Sequence, residues 1–144
     1  MKTLLPVLLA LLFVPPAFAG KAPTFATGEG AIRGYDPVAY FVLGEPTEGR
    51  ARYSTKWQGA IYRFSSAENL ALFKSDPKRY APQYGGYCAY AVSKGYTAST
   101  DPEAWSIVNG KLYLNFSPAI RKRWSRDIPA NVRAADRNWP GVLD

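Results

Sequence analysis

The chain has 144 residues, of which 18 are Lys or Arg, 11 are Asp or Glu, one is Cys, one is Met and none is His. The absence of histidine excludes general-base catalysis by histidine, His-ligated metal sites and Ser-His-Asp triads, and a single Cys excludes an intramolecular disulfide. A hydrophobic fraction of 47% and a net charge of +7 fit one compact basic domain.

The first 19 residues have the layout of a secretory signal peptide. Lys2 precedes an apolar run over 4–14, and the small-x-small triplet Ala17-Phe18-Ala19 follows. Because this run is shorter than the roughly 20 residues that span a bilayer, we expect cleavage after Ala19 and no stable membrane insertion. The predicted product is exported to the periplasm or secreted.

The remaining chain divides into an extended lead-in over 20–33 and one domain over 34–144. Within that domain, four pairs place a capping oxygen before a proline, which favours the start of a helix or a turn. These pairs are Asp36-Pro37, Asp76-Pro77, Asp101-Pro102 and Ser117-Pro118.

The first half of the domain is predicted as helix, hairpin, helix. A short helix over 37–43 ends at Gly44, and alternating apolar residues over 50–65 indicate a hairpin with Gln58-Gly59 at its centre. Ser65 and Glu68 have the spacing of a capping box, which predicts a helix that begins at Ser65 and ends near Ser75.

The second half begins with a loop over 82–86, followed by a segment over 87–92 that ends at Gly95. This segment is either a helix or a buried strand, and Ala89, Ala91 and the C-cap position of Gly95 favour a helix. Asn109-Gly110 then separates two alternating segments, 105–108 and 111–116, which is typical of a type I′ hairpin. Two helices, over 118–126 and 130–138, complete the chain. The predicted fold is therefore a small single α+β domain with two β-hairpins and several short helices.

Several of these residues carry a resemblance to the YHS domain family. Gly34-Tyr35-Asp36-Pro37-Val38 resembles the opening of that domain. The family pattern F-C-S-x-x-C-x-x-x-F-x-x-x-P-x-x-Y is matched in spacing by Phe64, Phe73, Pro77 and Tyr80. The resemblance implies a treble-clef-like core, related to metal-binding modules that accompany copper-transporting ATPases and other heavy-metal proteins.

The metal-ligand cysteines of the wider family correspond here to Ala39, Ser65 and Asn69. None of these side chains is a soft metal ligand, and Ser65 and Asn69 suit a helix N-cap and an ordinary helix position instead. We therefore expect a core of the YHS type that lacks the metal-ligand cysteines.

Cys88 is the one chemically distinctive residue that is left. It lies in Tyr84-Gly85-Gly86-Tyr87-Cys88-Ala89, which, with residues 111–115, resembles an exported bacterial YHS subfamily. In that subfamily the resemblance implies that some members carry selenocysteine at the position of Cys88. The candidate binding residues are Cys88, Tyr84, Gly85, Gly86, Tyr87, Tyr35 and Asp36.

Three functions stay open for Cys88. As a binding module in heavy-metal or redox stress, the protein would take copper through Cys88, with a second ligand from another subunit or a metal-handling partner. As a thiol-dependent redox enzyme with Cys88 as catalytic residue, it would need an external resolving thiol. As a structural interaction domain it would bury Cys88. We expect the binding module rather than the enzyme.

The identity of any cofactor or partner protein is unknown at this stage, and a homodimer is one way to complete a copper site. A nucleic-acid partner is not expected, because the chain is predicted to be exported and its basic residues are mostly dispersed among aromatics and turns. The one dense basic run, 121–126, should form a solvated face beside a buried Trp124.

Overall fold

The computed structural model describes residues 2–3 and 20–144, so most of the predicted signal peptide lies outside the described residues. Across those two ranges, no helix is long and apolar enough to cross a membrane. The predicted fold class is confirmed, because residues 20–144 form a small α+β domain of short helices and antiparallel strand pairs.

The domain is built from six strands and six helices within 20–144. The strands are β1 Ala26–Thr27, β2 Gly30–Ala31, β3 Arg50–Trp57, β4 Ala60–Phe64, β5 Trp105–Val108 and β6 Lys111–Leu114. The helices are α1 Ala39–Val42, α2 Ala67–Ser75, α3 Pro77–Tyr80, α4 Ala89–Ser93, α5 Pro118–Trp124 and α6 Ile128–Asn138. Short 3₁₀ turns lie at Ile32–Gly34, Gln83–Gly86, Ser125–Asp127 and Gly141–Leu143.

Both predicted hairpins are confirmed. The pairs β3–β4 and β5–β6 are antiparallel, joined by Gln58-Gly59 and Asn109-Gly110. All four turn residues have positive φ, between 49° and 78°. Left-handed backbone at both central positions gives the type I′ geometry, whose twist matches that of the paired strands.

The segment predicted as an extended lead-in contains the two-residue pair β1–β2. Ala31 and Ile32 are buried against the domain, and the Thr24 hydroxyl donates to the carbonyl of Gln58 over 3.0 Å. Phe25 N–H donates to the carbonyl of Gly85 over 2.9 Å. These contacts join the segment to both halves of the domain.

The start of α2 differs by one residue from the prediction. Ser66, rather than Ser65, caps the helix by accepting a hydrogen bond from Asn69 N–H over 3.1 Å. Ser65 instead donates to Asp36. The pair Ser117-Pro118 does begin a helix, with the Ser117 hydroxyl accepting from Ile120 N–H.

The core has two clusters that lie on opposite faces of β6, because successive residues of a strand point to opposite sides. Leu112 and Leu114 join the first cluster and Tyr113 the second. The first also contains Val38, Tyr40, Tyr62, Phe64, Phe73 and Tyr80. The second contains Tyr84, Tyr87, Ala89, Val92, Trp124 and Ala135.

Trp124 is fully buried, while Arg121, Lys122, Arg123 and Arg126 around it are exposed. The predicted arrangement of a solvated basic face beside a buried ring is therefore confirmed, and Trp124 fixes α5 against β6 by packing on Tyr113 at 5.3 Å between ring centroids.

Candidate functional site

Asp36 is fully buried and accepts five hydrogen bonds. Its Oδ1 accepts from the backbone N–H groups of Val38 and Ala39, over 2.8 and 3.2 Å. Its Oδ2 accepts from the N–H and the hydroxyl of Ser65 and from the side-chain amide of Asn69, each over 2.8 Å. The carboxylate thus joins the α1 turn to the end of β4 and to α2.

Four of the five donors come from the residues that the resemblance aligns with metal-ligand cysteines, and the fifth is the N–H of Val38. Ser65 and Asn69 both give their side-chain donors to Asp36, and Ala39 gives its N–H. The prediction that Ser65 caps the helix was wrong, because the Ser65 hydroxyl donates to the buried carboxylate of Asp36 instead. Asn69 does lie within α2, as predicted, and its side-chain amide also donates to Asp36. A metal ion does not fit here, since the polar groups already bind Asp36.

No cluster of three or more Cys, Asp or Glu side chains suited to a metal ion occurs in the described part of the chain. The three positions that the resemblance aligns with ligand cysteines, Ala39, Ser65 and Asn69, instead donate hydrogen bonds to Asp36. Asp36, one of the predicted binding residues, has 0% exposure and lies inside this network rather than at a surface.

The turn that precedes Cys88 has three consecutive residues with positive φ: Tyr84 at 56°, Gly85 at 60° and Gly86 at 80°. A Cβ on Gly85 would collide with the backbone carbonyl of Pro23, so glycine is required at this position. The hydroxyl of Thr100 donates to the carbonyl of Gly86 over 2.8 Å and holds the end of the turn.

The predicted tyrosines occupy separate places. The Tyr84 hydroxyl donates a hydrogen bond to Asp136 over 2.8 Å. Burial is the main cause that raises the pKa of Tyr84, and the carboxylate of Asp136 raises it further. Tyr87 donates to the carbonyl of Ala22, and burial raises the pKa of Tyr87. Tyr35 packs against the first core cluster and lines a separate cleft. Burial and the nearby carboxylate of Glu48 raise the pKa of Tyr35.

Cys88 lies immediately before α4 and is 1% exposed. Its Sγ accepts a hydrogen bond from Phe116 N–H over 3.3 Å and donates to Oδ1 of Asn115 over 3.5 Å. The sulfur is therefore held on two sides by the chain that follows β6. These contacts fit a thiol, with one donor and one acceptor satisfied.

Asn115 fixes the position of this thiol. Its Oδ1 also accepts from Tyr90 N–H over 3.0 Å, which identifies the oxygen of the amide. Its backbone is held by the carbonyl of Ala104 and the N–H of Asp101. Asn115 is fully buried, and its Nδ2 has no hydrogen-bond partner among residues 2–3 and 20–144.

Replacing Asn115 with alanine should destabilise the fold by about 1–3 kcal/mol, because the part-buried N–H of Tyr90 loses its acceptor. The same change frees the thiol proton of Cys88, so we expect iodoacetamide to alkylate native Cys88 several-fold faster. Urea unfolding and the alkylation rate measure the two effects. Asn131→Ala, which removes a half-buried amide donor to Trp124 O, is the control and should leave the Cys88 rate unchanged. An unchanged rate in Asn115→Ala would contradict this role.

Cys88 lines a cleft of about 250 Å³. Two of the surrounding aromatics, Tyr96 and Phe116, are each 53% exposed. The other lining residues are Tyr90, Ala91, Ala98, Ile120 and Arg123. Of the seven residues predicted from the sequence, only Cys88 lines this cleft in the part of the chain that the structure describes, and we call it the Cys88 cleft.

Tyr84 and Gly85 line a different cleft of about 440 Å³ beside Trp57 and Trp139. Neither Asn115 nor the aromatic rim of the Cys88 cleft was predicted as part of a site from the sequence. The spacing of Ile120 and Arg123, three residues apart on a predicted helix, was the one signal that could have placed both on a single face.

Comparison with models of protein families matches residues 38–84 to the YHS domain. Searches of curated proteins and of solved structures give no match. The matched segment runs from the residue before α1 to Tyr84, so it contains Ala39, Ser65 and Asn69 but ends before Cys88. Residues 38–84 are therefore similar to a YHS domain, which is consistent with a metal-associated module.

Proposed function

We propose that this protein is an exported accessory binding module whose ligand site is the Cys88 cleft, and that it acts in copper or redox stress. The observation that carries the proposal is the position of Cys88 in the lining of a cleft rimmed by exposed aromatic side chains. The Asp36 network, by contrast, has no free group to offer a ligand.

The export and subfamily parts of the proposal rest on the sequence. The predicted signal peptide supports export, and the resemblance around Cys88 supports an exported subfamily with a chalcogen at this position. A thiolate suits copper(I), but Cys88 supplies a single soft ligand. A copper ion at this position therefore requires a donor from a second copy or from a metal-handling partner.

The test compares the full chain with Cys88→Ser. A serine hydroxyl keeps one donor and one acceptor toward Asn115 and Phe116, so this variant preserves the local hydrogen bonds while removing the soft ligand. We expect the wild-type chain to retain copper(I) after gel filtration and the variant to lose it. We also expect iodoacetamide to label native wild-type Cys88. Equal copper retention by the two chains, together with labelling that begins only on unfolding, would refute the proposal.

The same geometry supports a thiol-dependent redox enzyme less well. The Cys88 thiol donates its proton in a hydrogen bond to Asn115. The chain also contains no second Cys that could resolve an oxidised sulfur. Trapping of a Cys88 sulfenic acid under mild peroxide, at a rate well above that of a free thiol, would reverse this order of preference.

A further inference from the structure

We propose that the Cys88 cleft binds a small anionic molecule with an apolar body, whose negative group pairs with Arg123 at the rim. This inference rests on the proposed function only in taking the Cys88 cleft as the ligand site. It adds the chemical class of the ligand, and it does not require a metal ion.

Size and lining define the apolar part of such a ligand. A volume of about 250 Å³ lies just below the range of about 300–1,000 Å³ that is typical of ligand pockets, so the cleft suits a molecule of benzoate size rather than a large cofactor. Ala91, Ala98, Phe116 and Ile120 line it with hydrocarbon. Binding sites for small molecules combine an apolar lining of this kind with a few polar groups that set orientation.

The exposure of Phe116 and Tyr96 indicates that the cleft binds a ligand. Each exposes more than half of a large aromatic side chain beside the same cleft. Exposed aromatics grouped around a concave surface are typical of ligand or partner sites, whereas singly scattered ones are not. A ligand with an apolar body would cover part of both rings.

The charge of the ligand follows from Arg123. This arginine is exposed, and it is the one charged residue of the cleft lining among the described residues. The ammonium group of Lys94 lies 5.2 Å from the ring centroid of Tyr90, another lining residue. With exposed Lys122 and Arg126 close in sequence to Arg123, the positive potential at the rim favours an anion.

Arginine also favours a particular anionic group. Its planar guanidinium presents paired N–H donors that match the two oxygens of a carboxylate. With the carboxylate on Arg123, the apolar body of the ligand extends along Ile120 and Phe116 toward Cys88. The ligand class is therefore a small carboxylate with an aromatic or branched aliphatic body.

The experiment uses benzoate and its neutral counterpart benzamide as probes, each titrated to about 10 mM into the ¹⁵N-labelled full chain. We expect benzoate to shift the amide signals of Phe116 and Ala98 and to bind about five- to tenfold more tightly than benzamide. Arg123→Gln should lower benzoate affinity to that of benzamide. Lys122→Gln removes an adjacent exposed charge that does not line the cleft, and it should change affinity less than about twofold.

Equal binding of benzoate and benzamide, equal effects of Arg123→Gln and Lys122→Gln, or no shift at Phe116 would each overturn the inference. Cys88→Ser separates this inference from the proposed function. Benzoate binding should survive that substitution, because it depends on the cleft and on Arg123. If the thiol neither binds copper(I) nor reacts while benzoate selectivity persists, the proposed role of Cys88 fails and the anion site stands.

Discussion

The variant Asp36→Ala should lose at least about 4 kcal/mol of folding free energy, enough to unfold many domains whose total stability is about 5–15 kcal/mol. The substitution removes the acceptor of five hydrogen bonds in a fully buried position. Each buried donor left without a partner costs about 1–3 kcal/mol, although the individual costs do not add simply. Urea unfolding followed by circular dichroism measures the loss.

Asp127→Ala is the matched control for this prediction. Asp127 is exposed and accepts one backbone hydrogen bond, from Ala130 N–H over 3.2 Å, so its removal should cost about 1 kcal/mol. Asp36→Asn offers a milder variant with the same shape, in which one oxygen becomes an amide donor that faces other donors. It should lie between the wild type and Asp36→Ala. Similar stabilities for Asp36→Ala and Asp127→Ala would show that the Asp36 network contributes little.

Much of the local structure could be predicted from the sequence because it depends on neighbours in the chain. Gln58-Gly59 and Asn109-Gly110 have the residue types that tolerate positive φ, and both form the turns that the patterns indicate. Ser117-Pro118 likewise supplies a side-chain cap and a residue fixed at a helical φ. These effects act within a few residues, so they need no knowledge of the tertiary fold.

The Asp36 network could not be predicted in this way. Asp36 meets Ser65 and Asn69 across 29 and 33 residues of sequence, and the capping-box pattern at Ser65 gives no sign of a competing acceptor. Because a buried carboxylate is costly to leave unpaired, it takes the Ser65 hydroxyl, and the helix cap passes to Ser66. The helix cap therefore lies one residue later than the capping-box pattern predicts.

The Cys88 cleft was beyond prediction for a related reason. Its lining comes from α4, from the loop that follows α4, from Phe116 after β6, and from α5. The position of α5 depends on the burial of Trp124 against Tyr113, and the position of the thiol depends on Asn115. The sequence identified Cys88 as distinctive, but only the packing of these segments shows which surface it contacts.

The Asp36 network and the Cys88 cleft therefore differ in their capacity to bind a ligand. At Ala39, Ser65 and Asn69, hydrogen bonds to Asp36 join α1, the end of β4 and α2. At Cys88 the hydrogen bonds hold the thiol from the side of Asn115 and Phe116, while the cleft lies beside it. The Cys88 cleft is therefore the better candidate for a ligand site.

Stability should fall steeply as the pH rises above about 10, because several buried tyrosines keep their protons only in the folded state. Burial raises the pKa of Tyr40, Tyr62 and Tyr84 in the fold, whereas an unfolded chain ionises tyrosine near pH 10. Their contribution is fully present below that pH. Above it the unfolded state loses protons first, so each tyrosine lowers the free energy of unfolding by up to about 1.4 kcal/mol per pH unit.

Phenolate absorbance and circular dichroism, recorded together from pH 9 upward, should show these tyrosines ionising only as the chain unfolds. Tyr62→Phe and Tyr40→Phe test the assignment, since each should reduce the slope of unfolding free energy against pH by about 1.4 kcal/mol per pH unit.

The two variants should differ in stability at neutral pH. Among the described residues the Tyr62 hydroxyl is buried without a hydrogen-bond partner, so its removal should cost less than that of the Tyr40 hydroxyl. Tyr40 donates to the carbonyl of Pro102 over 2.8 Å, and the loss of this bond should cost about 1–2 kcal/mol. Ionisation of all ten tyrosines in a single step near pH 10 with circular dichroism unchanged would contradict this account, because it would require buried phenolates in an intact core.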